Sequence, residues 1–173
     1  MSNQHIAETV ARLIQVFKER PEKAISEDAA ATTVVESGLR CKATGPHGWE
    51  LTSDMAKGVG GDASAPPPGW LFRASLANCD ASMIAIRAAE LGVELTTLEV
   101  TVGSVSDSRG MFQVDDTIPA GPQKVSMHFK LGAKDVPEET LRGIVEWVER
   151  HSPVGDAVGR NVPMEVTTEI IQG

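Results

Sequence analysis

Hydrophobic positions near the start of the chain recur at helical spacing. They are Ile6, Val10, Leu13, Ile14 and Phe17. This spacing is typical of an amphipathic helix with one buried face. The segment "ERPEK" ends the pattern, because Pro21 cannot continue the interior of a helix. We therefore expect an N-terminal helical extension over residues 1–26.

The next segment carries the signs of β-structure. Residues 31–44, "ATTVVESGLRCKAT", are rich in β-branched side chains, and "GWELTSD" after the turn "GPHG" predicts the second strand of a hairpin. Alternation places Leu39, Cys41 and Ala43 on one face of the first strand and Arg40 on the other. A half-buried antiparallel hairpin is therefore expected here.

A glycine- and proline-rich linker, Lys57 to Gly69, is interpreted as a mobile connector. It leads into a long helix predicted over residues 70–91. The apolar residues of this helix recur at i, i+4, i+7, i+11 and i+14, and they are Phe72, Leu76, Cys79, Met83 and Ile86. Alanine and serine occupy much of its remaining surface, which allows close approach by another element. We expect this helix to be central and buried.

The last part of the chain alternates between strand and helix patterns. The segments "LEVTV" and "KVSMHFKL" predict two half-buried strands joined by a long loop. A helix is predicted from Asp135 and Pro137 to His151, where Pro153 disfavours a further helical turn. A short turn, "VGDAVGR", and a final strand, "MEVTTEII", complete the pattern. Strands and helices without strict βαβ alternation predict an α+β fold.

Length and charge then narrow the classes of function. The 173 residues fit one domain, so we expect a single domain over residues 1–173. The 24 acidic residues exceed the 16 basic residues, which argues against nucleic acid as a partner. No apolar run of about 18 residues predicts a membrane span. The start "MSNQHIAETVARLIQ" lacks the features of a signal peptide, so a cytoplasmic location is expected.

The chemistry of the chain centres on its thiols. Cys41 and Cys79 are the two cysteines, and the four histidines are scattered without zinc-ligand spacing, so no metal or cofactor is predicted. Cys79 lies deep in its predicted helix beside Asp80, which disfavours a thiolate. The residues alone therefore leave open whether Cys79 is reactive or a small core residue. The cations that could activate it from elsewhere in the fold are Arg40, Arg73 and His151.

The order of elements and the segments "LFRASLANCDASMI" and "HSPVGDAVGRNVPMEV" resemble the family of osmotically inducible protein C and organic hydroperoxide resistance protein (OsmC/Ohr). The resemblance covers roughly residues 31–171. Pro68, Leu71 and Cys79 match the family's approach to its central helix and the cysteine within it. The resemblance implies an OsmC-like fold, with antiparallel sheets packed around a long central helix in an intertwined homodimer.

Peroxidases of this family oxidise the helix cysteine to a sulfenic acid, which condenses with a second cysteine. The resemblance assigns Cys79 to the attacking position and leaves Arg40 as the candidate for the family's arginine. Ser152 stands where the family has its second cysteine, and Gly69 stands where it has a glutamate. Two positions of the family's catalytic set therefore carry a residue of different chemistry.

These departures imply a degenerate hydroperoxide reductase that retains, at most, one-cysteine redox chemistry at Cys79. Its substrate would be a peroxide, and an external thiol would act as the reductant. Two alternatives stay open. The protein could bind a small hydrophobic ligand without catalysis, or it could be a structural protein whose thiol only packs.

Overall fold

Residues 2–172, the part of the chain described by the computed structural model, contain five α-helices and five β-strands. In chain order they are α1 (Asn3–Glu19), β1 (Thr32–Ser37), β2 (Arg40–Thr44), β3 (Glu50–Ser53), α2 (Pro68–Glu90), β4 (Leu95–Ser106), α3 (Ser108–Met111), β5 (Pro122–Ala133), α4 (Glu138–His151) and α5 (Pro153–Gly159). Short 3₁₀ turns occupy Pro21–Ala24, Pro46–Gly48 and Lys57–Val59. The predicted α+β class is confirmed. Within the described residues, no helix is both long enough and apolar enough to cross a membrane.

The predicted N-terminal helix is present as α1. The hydroxyl of Ser2 accepts a hydrogen bond from the His5 amide and caps the first turn. The helix ends at Glu19, just before Pro21, as the sequence predicts. The helix α1 packs against α2.

The strands β1, β2 and β3 form an antiparallel sheet in that order. The segment predicted as one strand over residues 31–44 is a hairpin, because Gly38 adopts a left-handed conformation (φ +55°) and turns the chain. Cys41 and Ala43 share one face of the sheet, as predicted, and Leu51 lies directly opposite Ala43. Within residues 2–172, the extensive contacts of these strands are with one another.

The hydrophobic core lies between α2, α4 and the antiparallel pair β4–β5. Ile84 of α2 and Ile144 and Val148 of α4 are fully buried, and Ala88 and Val93 complete the cluster. The two predicted strands are confirmed, and the loop between them contains the short helix α3. The packing of α2 on α4 brings the middle of the central helix against the end of α4.

The buried face of α2 differs from the predicted stripe. The buried residues Leu76, Asp80, Ile84 and Ala88 follow one another at intervals of four, whereas Cys79 is only half-buried. One residue corresponds to about 100° of rotation around a helix. The helix is therefore turned so that Asp80, and not Cys79, lies in the buried row.

The C-terminal segment also departs from its prediction. Residues 160–172 contain neither helix nor strand, so the predicted strand "MEVTTEII" is absent from the single chain. A strand requires an edge with which to form hydrogen bonds, and within the described chain this segment is paired with none. The apolar side chains of residues 164–171 are at least 80% exposed, and they are Met164, Val166, Ile170 and Ile171. The segment "VGDAVGR", predicted as a short turn, belongs mostly to the helix α5.

Candidate functional site

The thiol of Cys79 lies against the end of α4. Its Sγ accepts a hydrogen bond from the Ser152 hydroxyl, with 3.5 Å between Sγ and Oγ. Ser152 is buried, whereas Cys79 is partly open to solvent. The two positions that the sequence singles out, 73 residues apart, are therefore in direct contact.

Two helices fix the position of Ser152. Its amide donates to the Val148 carbonyl at the end of α4, and its Oγ accepts the Gly155 amide at 3.0 Å as the N-cap of α5. Serine is a favoured N-cap because its short side chain reaches the unpaired amides of the first turn. Pro153 at the first position of α5 suits the same boundary. The Ser152 hydroxyl is therefore held by α4 and α5 while it contacts α2.

A buried carboxyl lies beside this contact. Asp80 is 2% exposed, and its Oδ1 has no hydrogen-bond partner among the described residues. Burial raises the pKa of the Asp80 carboxyl, and the Ser152 hydroxyl offsets part of that rise. From the sequence, Asp80 is only a charge next to the cysteine, and its burial is not predicted. The spacing of Leu76, Asp80 and Ile84 at i and i+4 is the pattern that could have indicated it.

Arg40 lies on β2, away from these groups. Its guanidinium pairs with the Glu36 carboxylate, with 3.2 Å between Nε and Oε2, and donates to the Ser64 hydroxyl at 2.7 Å. No hydrogen bond joins Arg40 to Cys79 within the described chain. The structure therefore does not bring these two predicted site residues together in a single subunit.

The linker before α2 is anchored, which corrects its interpretation as a mobile connector. Asp54 is 2% exposed and accepts hydrogen bonds from the Ser64 amide (3.0 Å), the Ser64 hydroxyl (2.8 Å) and the Met55 amide (2.8 Å). These bonds, those of Ser64 first, lower the pKa of the Asp54 carboxyl. The Ser64 hydroxyl also accepts a hydrogen bond from the Arg40 guanidinium. This linker residue therefore connects Asp54, directly after β3, to Arg40 on β2.

The other charged candidates have partners elsewhere. Arg73 donates to the Ser104 hydroxyl of β4 at 3.1 Å. His151 stacks on the Trp147 indole, with 4.4 Å between ring centroids. A Cβ at Gly69, the position of the family's glutamate, would have Arg73 Nη1 as its near neighbour at 3.9 Å. The thiol therefore has a hydroxyl as its hydrogen-bond partner, and the sequence-predicted cations are engaged elsewhere.

The second cysteine is separate from this cluster. Cys41 is half-buried on β2, and its Sγ lies 3.8 Å from the Leu39 carbonyl. Both cysteines are free thiols. Among residues 2–172, no group of three or more His, Cys, Asp or Glu side chains is arranged to hold a metal ion. The candidate site therefore consists of Cys79, Ser152 and Asp80.

Comparison with known protein families identifies one family model that matches the chain. The family model described as "OsmC-like protein" matches residues 61–167, which include α2 and the end of α4. No curated protein matches the chain.

Solved structures share the fold at low sequence identity. An OsmC-like protein from Mycoplasma pneumoniae aligns with a TM-score of 0.66 and 14% identity, over 78% of this chain and 89% of that one. An organic hydroperoxide resistance protein from Legionella pneumophila aligns with a TM-score of 0.57 and 17% identity, over 78% and 90%. An OsmC-like protein of unknown function from Vibrio cholerae aligns with a TM-score of 0.64 and 12% identity, over 84% of this chain and 100% of that one. At these identities the likeness shows the fold alone.

The two buried aspartates lead to a prediction about stability and pH. The raised pKa of Asp80 means that its favourable contribution is present at low pH and is lost as pH rises from the unfolded value of about 3.9 through the folded one. The lowered pKa of Asp54 has the opposite consequence, because its contribution is present above the unfolded value and is lost as pH falls through the lower folded one. We therefore expect the native protein to lose unfolding free energy relative to Asp80→Asn as pH rises above about 4, and relative to Asp54→Asn as pH falls below about 4.

Urea denaturation at fixed protein concentration and several pH values measures both differences. Each aspartate serves as the control for the other, because both are 2% exposed and both substitutions are isosteric. Differences that have the same sign, or that do not change with pH, would contradict the assignment of the two carboxyls.

Proposed function

Since the chain belongs to the OsmC-like protein family, we propose that it reacts with organic hydroperoxides through the single thiol of Cys79. The observation that carries the proposal is the contact between Cys79 Sγ and Ser152 Oγ. The position at which the family has its second cysteine lies against the thiol, but it carries a hydroxyl. The site therefore has the placement of a two-cysteine centre and the chemistry of a one-cysteine centre.

The proposed cycle has two stages. The Cys79 thiolate attacks one peroxide oxygen, the O–O bond breaks, and the products are a sulfenic acid and an alcohol. An external thiol then condenses with the sulfenic acid and releases water, and a second external thiol exchanges with the mixed disulfide to restore Cys79. Ser152 cannot take part in a disulfide, so reduction depends entirely on thiols from outside. This requirement fits the reducing cytoplasm, where we place the protein.

We also propose that the working unit is a homodimer. One face of the first sheet carries Val35 and Leu51, which are 65% and 49% exposed, and the C-terminal segment leaves a row of apolar side chains uncovered. Exposed apolar surface on this scale is typical of protein interaction sites. A second copy of the chain would account for both features. Its surface would cover the exposed sheet face, and one of its strands would offer an edge with which residues 164–171 could pair.

A dimer would also give Arg40 a role. In a single chain its guanidinium belongs to a sheet with few contacts to the helical core. Arg40 lies on the face opposite Leu51, so its guanidinium would reach the other subunit's Cys79 from the hairpin end of β2, beside the turn at Gly38. We propose Arg40 as the group that favours the thiolate there, because a nearby cation lowers the pKa of a thiol.

A second candidate function is the binding of a small ligand without catalysis. An open cavity of about 390 Å³ lies along α2, lined among others by Trp70, Arg73, Asn78 and Val100. An indole, a guanidinium and an aliphatic side chain suit an apolar ligand with one anionic group. This cavity is the observation that favours the alternative.

Treatment with an organic hydroperoxide tests the proposed chemistry. In the native protein we expect Cys79 to become a sulfenic acid that dimedone traps, with no intramolecular disulfide at any dose. Mass spectrometry of the Cys79 peptide and of the intact chain measures both products. The same treatment of Cys41→Ala should give the same adduct, because Cys41 lies outside the site.

The matched comparison for this experiment is Ser152→Cys. Its new thiol would replace a hydroxyl already in contact with Cys79 Sγ, so oxidation should yield a disulfide at the expense of the dimedone adduct. An absence of any adduct on Cys79 in the native protein would refute the proposed chemistry and favour ligand binding.

Light scattering at micromolar concentration tests the dimer, with an expected mass of twice the 18.4 kDa chain. Leu51→Asp should shift the protein toward monomer, because it places a charge on the proposed interface. Thr52→Asp is the control, since neighbouring strand residues point to opposite faces of the sheet. A native monomer would exclude the proposed dimer, and equal effects of the two variants would exclude this sheet face as its interface.

A further inference from the structure

The Ser152 hydroxyl has an identified partner both as an acceptor and as a donor. Its Oγ accepts the Gly155 amide at 3.0 Å, and its single proton is donated to Cys79 Sγ at 3.5 Å. Ser152 is 3% exposed. A hydroxyl buried to this extent cannot exchange its partner for water without opening the site, so the bond to the sulfur is a fixed feature of the native structure.

The backbone of α5 holds this hydroxyl in place and strengthens it as a donor. A Cβ at Gly155 would lie 3.0 Å from Ser152 Oγ, which is tighter than an ordinary van der Waals contact. Glycine therefore allows the amide to approach the hydroxyl closely. A hydroxyl that accepts one hydrogen bond is polarised toward donating another. The Gly155 amide thus favours donation from Ser152 Oγ to the sulfur.

We propose that Ser152 is a catalytic residue whose hydroxyl stabilises the Cys79 thiolate by hydrogen bonding and so increases the fraction of the thiol that can attack a peroxide. This inference rests on the hydroperoxide chemistry proposed above. A hydrogen bond to a charged acceptor is stronger than one to a neutral acceptor, so the same contact favours the thiolate over the thiol. Serine at this position then supports the first step of the cycle, although it cannot form a disulfide.

The hydroxyl keeps its own proton throughout this step. Cys79 is partly open to solvent, so the thiol proton leaves to water. The thiolate then forms an S–O bond to one peroxide oxygen and is oxidised by two electrons, while the O–O bond breaks and the peroxide is reduced. The leaving alkoxide takes a proton from water. The products are a sulfenic acid and an alcohol, and Ser152 is unchanged.

The charged and titratable groups around α2 do not replace this donor. Asp80, the next residue on the helix, opposes a negative charge on the sulfur. The elements with extensive contacts to α2 are α1, β4, α4 and α5, and within residues 2–172 none of their charged side chains forms a hydrogen bond or an ion pair with Cys79. The engaged groups are Glu8 (with Gln4), Arg73 (with Ser104), Glu99 (with Lys130), His151 (with Trp147) and Asp156 (with Arg160). Within one subunit, the Ser152 hydroxyl is therefore the group that favours the thiolate.

The pH dependence of Cys79 alkylation tests this role, because the thiolate is the form that reacts. We would follow iodoacetamide modification of the Cys79 peptide by mass spectrometry from pH 6 to 10, and the reaction with cumene hydroperoxide at pH 7 by dimedone trapping. Ser152→Ala and Ser152→Gly both remove the hydroxyl, and Ser152→Thr keeps it. Urea denaturation establishes that each variant is folded.

The expected result is a loss of rate that depends on pH. Ser152→Ala and Ser152→Gly should each slow alkylation at pH 7 about 5-fold, because the lost hydrogen bond to a charged group is partly offset by the greater reactivity of a less stabilised thiolate. At pH 10, where an ordinary thiol is ionised, both variants should react as fast as the native protein or faster. The hydroperoxide reaction at pH 7 should fall in parallel, and Ser152→Thr should recover most of both rates.

The alanine and glycine variants separate the hydrogen bond to sulfur from the helix cap. Glycine at an N-cap preserves much more of the stability of a helix than alanine does. A role confined to capping α5 would therefore slow Ser152→Ala much more than Ser152→Gly, and by the same factor at pH 7 and pH 10. Equal losses in the two variants, seen at pH 7 and absent at pH 10, support the role of the hydroxyl.

Two further outcomes distinguish this inference from the proposed function. Alkylation and hydroperoxide reactions at pH 7 that are as fast in Ser152→Ala and Ser152→Gly as in the native protein would overturn the role of the hydroxyl and leave the proposed function intact. A native thiol whose alkylation depends on Ser152 as expected, but which does not react with hydroperoxide, would overturn the proposed function and with it the catalytic role of Ser152.

Discussion

The packing of α2 against α4 is the interaction on which the site depends. Ile84 on one helix and Ile144 and Val148 on the other are fully buried in a single cluster, and each such side chain contributes about 1.5–3 kcal/mol when removed from water. This contact sets the rotation of α2 and the place where α4 ends. Cys79, Asp80 and Ser152 meet because the core fixes both helices, and no bond among the three polar groups is strong enough to do so alone.

The sequence predicts the parts of the fold that follow from local pattern. The helices α1, α2 and α4 and the strands β4 and β5 appear where periodicity places them, because each has one regular apolar face. The buried face of α2 is predicted less well, since Asp80 is polar and Ala88 is small, and neither stands out in an apolar stripe. The contact of Ser152 with Cys79 follows from tertiary packing, although the family resemblance already singles out both positions.

Two other segments differ in the structure from what their sequences predict. The linker is held by Asp54 and Ser64, a pairing between residues ten positions apart that no composition rule would reveal. Residues 164–171 alternate like a strand but lie unpaired, because strand formation depends on an available edge as well as on propensity. Fold similarity at 12–17% identity therefore describes the scaffold, and the side chains at three positions decide the chemistry.

Ser152 caps α5 through its bond to the Gly155 amide and contacts the thiol through its proton. Cysteine is not among the residues favoured at an N-cap, and loss of a good cap costs about 0.5–2 kcal/mol. A cysteine here would allow an internal disulfide and would give up part of that capping. The choice between serine and cysteine therefore exchanges an internal disulfide for a better helix cap. Under the proposed function, a chain with serine here would depend on thiols supplied by its surroundings.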